Sequence, residues 1–224
     1  MELPRGGGVG HAHQPWPESR PGVSEAAIYA EMMRETYRWG CDAPRWLLHA
    51  EPPRRVQRGD LVQGEIHTVD GGQEAQVQMS VALDPIDTDN RKCEAVATRA
   101  YEAGLRAVRP GVTFAEVVRA MEEPIRAAGC WSKTPLLHTL SFGATGFTGV
   151  NREQLTGTPE GKIEGQANPG IRRRELVLQP GMGLELEPNA CVNTHRVNIG
   201  TGVLVTDTDC EALNVLPSRV YHVA

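Results

Sequence analysis

Two stretches of the chain are near-copies of each other. Arg20–His49 (RPGVSEAAIYAEMMRETYRWGCDAPRWLLH) and Arg109–His138 (RPGVTFAEVVRAMEEPIRAAGCWSKTPLLH) align without a gap. Each opens on Arg-Pro-Gly-Val and passes through Ser24 or Thr113 into an amphipathic run. Each then reaches Gly40-Cys41 or Gly129-Cys130 and closes on Leu-Leu-His. The match resumes further on, where Gln57–Glu65 (QRGDLVQGE) parallels Gln179–Glu187 (QPGMGLELE). A unit written twice calls for a fold in which like halves pack together, because neither buries its apolar face alone. A length of 224 residues suits one such domain, expected over residues 20–224, behind a short arm at 1–19.

Local signals fill in the halves. Ser24 and Thr113 each follow a Pro-Gly turn and read as helix N-caps. Ile28, Met32 and Met33, and in the second copy Val117, Val118, Met121 and Ile125, recur at helical spacing. Gly40 and Gly129 are placed to end those helices. Arg58–Ala82 predicts two strands joined at Gly71-Gly72. Asp87–Val108 predicts a helix with an acidic start that suits the helix dipole. Gly202–Leu216 predicts two strands about the turn Thr206–Asp209. The second copy is longer between His138 and Gln179. The polar, Gly-rich stretch Phe142–Arg174 reads as a loop over a pocket. The expected fold is α+β, two pseudo-symmetric halves with a curved antiparallel sheet flanked by helices.

Composition narrows the function. Net charge is −5 and no long basic run exists, which argues against nucleic acid or a membrane surface as partner. No apolar run approaches the ~20 residues of a membrane span. Five cysteines (41, 93, 130, 191 and 210) lack metal-type spacing and read as buried thiols in a reducing cytoplasm. His11 and His13 belong to the arm and read as solvated.

The candidate site follows from alternation and repeat. Glu65 and His67 share one face of a strand, as do Glu185 and Glu187. Duplication pairs Glu65 with Glu187, and His49 with His138. His195, on an expected hairpin, reads as a surface residue, and Glu211 as a strand-edge charge. Asp70 and Glu74 read as solvated turn residues. Arg91, Lys92 and Glu94 read as a solvated helix face.

Over roughly residues 20–216 the chain resembles the pita-bread metallopeptidases: methionine and Xaa-Pro aminopeptidases, prolidase and creatinase. The likeness rests on Gly59-Asp60-Leu61-Val62, Leu136-Leu137-His138, Glu185-Leu186-Glu187-Pro188, and Val203-Leu204-Val205-Thr206 before Cys210-Glu211-Ala212-Leu213. It implies the pita-bread fold and a site where two metal ions share two aspartates, one histidine and two glutamates. Position by position, these fall on Glu65, Gln76, His138, Glu187 and Gly200. A substrate-holding histidine falls on His49, and a further histidine falls on Thr145.

Two of the five implied metal ligands are therefore replaced, by a neutral amide and by no side chain at all. Removing two carboxylates leaves two dications insufficiently neutralised. The readings left open are one divalent ion (Mn, Zn, Co or Fe) on Glu65, His138 and Glu187 with help from His67, or no ion, with the carboxylates paired to histidines or arginines in a relic pocket. Functionally, the resemblance implies a divergent aminopeptidase- or creatinase-like hydrolase of a small peptide or amide. His49, His138 and Glu187 would then carry catalysis. The alternative is a catalytically inactive pita-bread binding or scaffold protein. A homodimer and a cytoplasmic location are the further expectations.

Overall fold

The computed structural model describes residues 19–41, 45–47, 54–70, 73–132, 135–140 and 174–224, with the backbone alone at 45–47, 70 and 73. His49, His11, His13, Thr145, the Gly71-Gly72 turn, the arm up to residue 18 and the inserted loop up to residue 173 lie outside these.

Both copies of the repeat build the same unit. Helix α1 (Glu25–Arg38) is capped by Ser24, whose Oγ accepts from the Ala27 N–H at 3.2 Å. Its counterpart, named α3 in chain order (Phe114–Ala127), is capped by Thr113. There the Thr113 Oγ accepts from the Glu116 N–H, while the Glu116 carboxylate accepts from the Thr113 N–H at 2.8 Å. Gly40 and Gly129 follow the two helices at φ of 77° and 66°, a left-handed conformation that a Cβ would disfavour. Between them lies α2 (Thr88–Ala107), capped by the Asp87 carboxylate on the Asn90 N–H at 2.8 Å.

Backbone bonds outside the helices are duplicated as well. Gly22 N–H donates to Val56 O at 2.8 Å, as Gly111 does to Leu178 O at 2.9 Å. Val56 returns a bond to Val23 O at 2.9 Å, as Leu178 does to Val112 O at 2.8 Å. Gly59 donates to Leu83 O, as Gly181 does to Val205 O. The same sequence places the same turn twice, each docking a helix N-terminus beside the strand that follows.

The strands are β1 (Arg45–Leu47), β2 (Leu61–Asp70), β3 (Gln73–Leu83), β4 (Trp131–Ser132), β5 (Leu137–Thr139), β6 (Gly183–Leu186), β7 (Ala190–Val192), β8 (His195–Val197), β9 (Gly200–Val205), β10 (Cys210–Ala212) and β11 (Val220–Val223). The main sheet runs β1-β2-β3-β9-β6-β5, and a small sheet runs β4-β7-β8. The halves meet where β3 pairs β9, through only Val77↔Thr201 and Gln78↔Gly200. Beyond that seam the sheet forks. β9 takes β10 as an antiparallel partner, while β3 takes β11. The β11 pairing is parallel, an exception to the antiparallel expectation, and β11 was not among the expected strands.

Alternation sorts the two faces. Val62, Ile66, Val77, Met79, Val81 and Leu83 pack under Ile28 and Met32 of α1. Leu184, Leu186, Val203 and Val205 pack under α2 and α3. Fully burying each such side chain is worth about 1.5–3 kcal/mol. Helix α2 comes close because it presents Gly104: a Cβ there would stand 2.7 Å from Leu186 Cδ2 and 2.9 Å from Met121 Cγ. By the same alternation the polar residues Glu65, His67, Gln76, Gln78, Glu185 and Glu187 fall on the opposite face. Among the described residues no helix is long and apolar enough to cross a membrane.

Candidate functional site

Strand register brings the candidate residues together on that polar face. On β2 and β3, Glu65 lies opposite Gln78 and His67 opposite Gln76. Gln78 lies opposite Gly200 on β9, Gly202 opposite Glu185 on β6, and Glu185 opposite His138 on β5. Glu187 follows the end of β6. Its N–H donates to Leu136 O at 2.8 Å, which keeps it in line with the strand. Four strands from both halves thus supply one cluster.

The cluster is a chain of charge-assisted bonds. Gln76 is 1% exposed, and its side-chain nitrogen donates to Glu65 Oε1 at 2.8 Å and to Glu187 Oε1 at 3.0 Å. The Gln78 amide donates to Glu187 Oε2. His138 Nε2 stands 2.5 Å from Glu187 Oε1, while its Nδ1 faces the Thr139 carbonyl at 3.1 Å. His67 bridges two carboxylates: Nε2 lies 2.7 Å from Glu65 Oε1, and Nδ1 2.6 Å from Glu74 Oε1. Bonds of this kind are roughly twice as strong as neutral ones.

The electrostatics follow from these partners. Burial alone would push the His67 imidazole down, but hydrogen bonds to Glu65 and Glu74 outweigh it and lift its pKa to about 9. Burial likewise opposes the charge on Glu65, yet His67 holds that carboxylate below its ordinary range. His138 is raised: burial works against its charge, and the Glu187 carboxylate overcomes that. Burial raises Glu187 in turn, against the pull of His138. Both groups are thus shifted toward their proton-bearing forms.

Glu65, His67, His138 and Glu187 converge as expected, together with Gln76. The carboxylates stand against histidines, Glu65 on His67 and Glu187 on His138, and His49, one expected partner, lies outside the described residues. Glu74 is a correction: it is not a solvated turn residue but is held against His67, because β2 and β3 continue their pairing to Asp70↔Gln73 and carry it over the cluster. Glu94 is likewise more than a solvated face, with its carboxylate 2.9 Å from His222 Nε2. His195 is half-buried, its Nε2 3.0 Å from Asp87, while Glu211 is exposed on β10 as expected.

Gln78 and Glu185 escaped the sequence reading as site residues. The signal for both was alternation: Gln78 is two residues beyond Gln76, and Glu185 two before Glu187. Gly200 and Gly202 show the same two-residue step on the strand between them. A Cβ on Gly200 would lie 2.7 Å from Leu186 O and 3.1 Å from Glu185 Oε1. One on Gly202 would lie 3.5 Å from Glu185 Oε2. The Glu185 carboxylate therefore lies over the two glycines, in space that side chains would take.

At the ligand positions implied by the resemblance, an N–H donor faces both Glu65 and Glu187, and Gly200 offers nothing. Among the described residues no three His, Cys, Asp or Glu side chains are gathered so as to hold a metal ion.

A sequence model of metallopeptidase family M24 matches residues 9–208. Among solved structures, dipeptidase PepE from Mycobacterium ulcerans superposes with a TM-score of 0.76 at 21% identity, covering 98% of this chain and 58% of that one. Prolidase from Pyrococcus furiosus gives 0.70 at 18% identity, covering 89% of this chain and 58% of its own. Pseudomonas aeruginosa aminopeptidase PepP gives 0.70 at 17% identity, with 92% and 52% covered. The chain thus spans little more than half the length of these structures, and at such identities the likeness is one of fold. No curated protein matches the sequence closely enough to be counted a relative.

Proposed function

The chain belongs to metallopeptidase family M24, and from that premise we propose that it is a divergent hydrolase of a small peptide or amide that works without the family resemblance's two-metal centre. One observation carries this reading: the Gln76 side-chain nitrogen sits between Glu65 and Glu187, bonded to both. An N–H donor at that point takes the place of a cation for two carboxylates. It cannot also serve as the bridging anion that two dications need. Gly200 removes a second ligand. The residues do not fit a dinuclear centre, and no chemical step is drawn through one.

The His138–Glu187 pair supplies acid–base capacity instead. The Thr139 carbonyl orients the imidazole from its Nδ1 side and leaves Nε2 facing Glu187. In hydrolysis, the oxygen of water bonds to the substrate carbonyl carbon as the pair takes up its proton. The C–N bond then breaks, and that proton passes to the leaving nitrogen. An imidazole and a carboxyl group in direct contact can accept a proton and return it, which suits both halves of that transfer. His49, by the family resemblance, is the candidate for holding substrate.

The second reading is an inactive binding protein. It is favoured by burial: His138 is 8% and Glu187 2% exposed, and each is already engaged with the other. Dipeptide and small-amide turnover, measured with chelator and with added Mn²⁺, separates the readings. Metal-independent turnover that disappears in both His138→Ala and Glu187→Gln is the expected result. Turnover that needs added metal would overturn the metal-free mechanism. Saturable binding without turnover would establish the second reading.

A further inference from the structure

Strand β11 is short, yet it reaches both cores. Val220 belongs to the apolar cluster under α2 and α3, and Tyr221 to the cluster under α1. The strand runs beside β3 from Val220↔Ser80 to Val223↔Leu83, and the Asp84 N–H extends the ladder by donating to Val223 O at 2.9 Å. It thus lines the edge of β3 beyond Val77 and Gln78, the two residues that pair β9 across the seam. Four residues paired on one side make few ladder bonds. Side chains must supply much of the hold.

His222 is placed to supply it. Two residues beyond Val220, it shares that residue's face, toward α2. Both of its ring nitrogens meet carboxylates. Nδ1 lies 2.8 Å from Asp84 Oδ2, at the end of β3, and Nε2 lies 2.9 Å from Glu94 Oε1, on α2. Ionised carboxylates only accept, and a neutral imidazole has a single N–H. Both bonds are therefore made together only by the imidazolium. The charged groups about it are Asp84 from β3, and Glu94 and Arg91 from α2, with Arg91 Nη2 3.6 Å from Asp84 Oδ1. Arg219, in its own segment, is engaged over the Tyr221 ring at 5.2 Å. A deprotonated His222 would turn a lone pair toward one of the two carboxylates and leave that carboxylate without its donor.

We infer that β11 is a pH-set strap between the two cores, fastened when the His222 imidazolium bonds Asp84 and Glu94 together and loosened when that proton leaves. The direction follows from the contacts. The Glu94 bond raises the His222 pKa most, burial opposes it, and the Asp84 bond adds to it, so the imidazole stands above its ordinary value. A group raised on folding gives its full stabilisation below its unfolded pKa and loses it as pH climbs through the folded one. The strap is therefore closed in mildly acidic solution and loosens on the alkaline side. The cluster is half-buried, and solvent screens it, so the change is a local opening of β11 rather than unfolding of the domain. Opening bares the Ser80–Leu83 edge of β3 and lifts Tyr221 from beneath α1. The inference goes beyond the hydrolase reading and holds whether or not the chain turns over a substrate.

The test is amide hydrogen exchange of the full chain, wild type against His222→Gln, at pH 6 and pH 9. Taking the ratio of the two proteins at each pH cancels the intrinsic pH dependence of exchange and the titration of His67, which both share. At pH 6 the β11 amides should exchange about threefold more slowly in the wild type, within what half-exposed ion pairs supply. At pH 9 the ratio should approach one. The α3 amides should show no difference at either pH. A β11 ratio that is the same at both pH values overturns the inference, as does one that is near one at pH 6. An equal ratio in α3 also overturns it, because the histidine would then stabilise the domain rather than the strap. If His222→Gln shows no cooperative melt, Glu94→Gln decides. Removing that acceptor's charge should move the loosening of β11 to lower pH, and an unmoved midpoint overturns the assignment.

Discussion

Replacing Gln76 with leucine tests the whole cluster at once. Leucine nearly matches glutamine in bulk but deletes the nitrogen that Glu65 and Glu187 share at 2.8 and 3.0 Å. A hydrogen bond to a charged group contributes about 1.5–3 kcal/mol net. Two are lost, but both carboxylates keep other partners, Glu65 on His67 and Glu187 on His138 and Gln78. The expected loss is therefore about 3 kcal/mol, a large part of the ~5–15 kcal/mol that holds a typical domain together.

The loss should depend on pH in a definite sense. Glu65 is held below its ordinary range, so its contribution is present above that range and fades as pH falls through its folded value. The variant's carboxylates, short of a donor, accept protons more readily. The gap between wild type and Gln76→Leu should be widest near pH 8 and narrower near pH 4.5. Urea unfolding followed by circular dichroism at the two pH values measures it. A gap under about 1 kcal/mol at pH 8, or one that widens on acidification, would refute the claim that Gln76 neutralises the two carboxylates.

His67 carries a second pH signature. Its folded pKa is raised to about 9, so the stability it adds is complete below the ordinary histidine value and is lost as pH climbs through about 9. Unfolding free energy should fall by at most about 3 kcal/mol across that window, at ~1.4 kcal/mol for each tenfold gain in proton affinity on folding. A His67 proton resonance titrating near 6.5 would contradict this. Gly200→Ala should destabilise by about 1–3 kcal/mol in thermal unfolding, because its methyl meets the Leu186 carbonyl oxygen, a backbone atom, at 2.7 Å. For the same reason Gly200→Glu is expected to unfold the seam rather than create a metal ligand, and a stable variant that gains an ion would show the sheet to be looser than described. Gly104→Ala sets helix propensity, worth about 1 kcal/mol in favour of alanine, against overpacking on Leu186 and Met121, about 1–3 kcal/mol against it. A variant with a raised melting temperature would mean those side chains yield freely.

What could be read from the sequence was whatever the repeat and alternation encode locally. Ser24 and Thr113 announced both caps, and Gly40 and Gly129 both helix ends. The pairing of Glu65 with Glu187 came from comparing the copies, and their shared location followed once β3 met β9. The roles of Glu74, Gln78 and Glu185 did not emerge, since each depends on strand register, within the β2–β3 hairpin for Glu74 and between distant strands for the other two. Glu74 reads as a turn residue until β2 and β3 are seen to pair to their very ends. Glu185 looks like a second copy of Glu187 until the opposite strand proves bare of side chains. The parallel β11 was hidden for a related reason: a strand of four residues after a loop has no alternation long enough to register. His49, a mainstay of the symmetric reading, lies outside the described residues and enters only as a proposal.

The seam between the halves is narrow. Where β2 and β3 pair along their whole length, β3 and β9 pair at two positions. Much of the remaining stitching is done by side chains: Ser80 Oγ to Asn198 O at 2.7 Å, Gln63 to the Arg196 carbonyl, and the Gln76 and Gln78 amides to Glu187. Two of those four stitches belong to the Gln76–Gln78–Glu187 cluster. The cluster is thus a latch as much as a site. A molecule that wins Glu187 away from the glutamines also undoes two of the side-chain bonds that cross the seam. Whatever binds at Glu187 is thereby coupled to how firmly the two halves are held together.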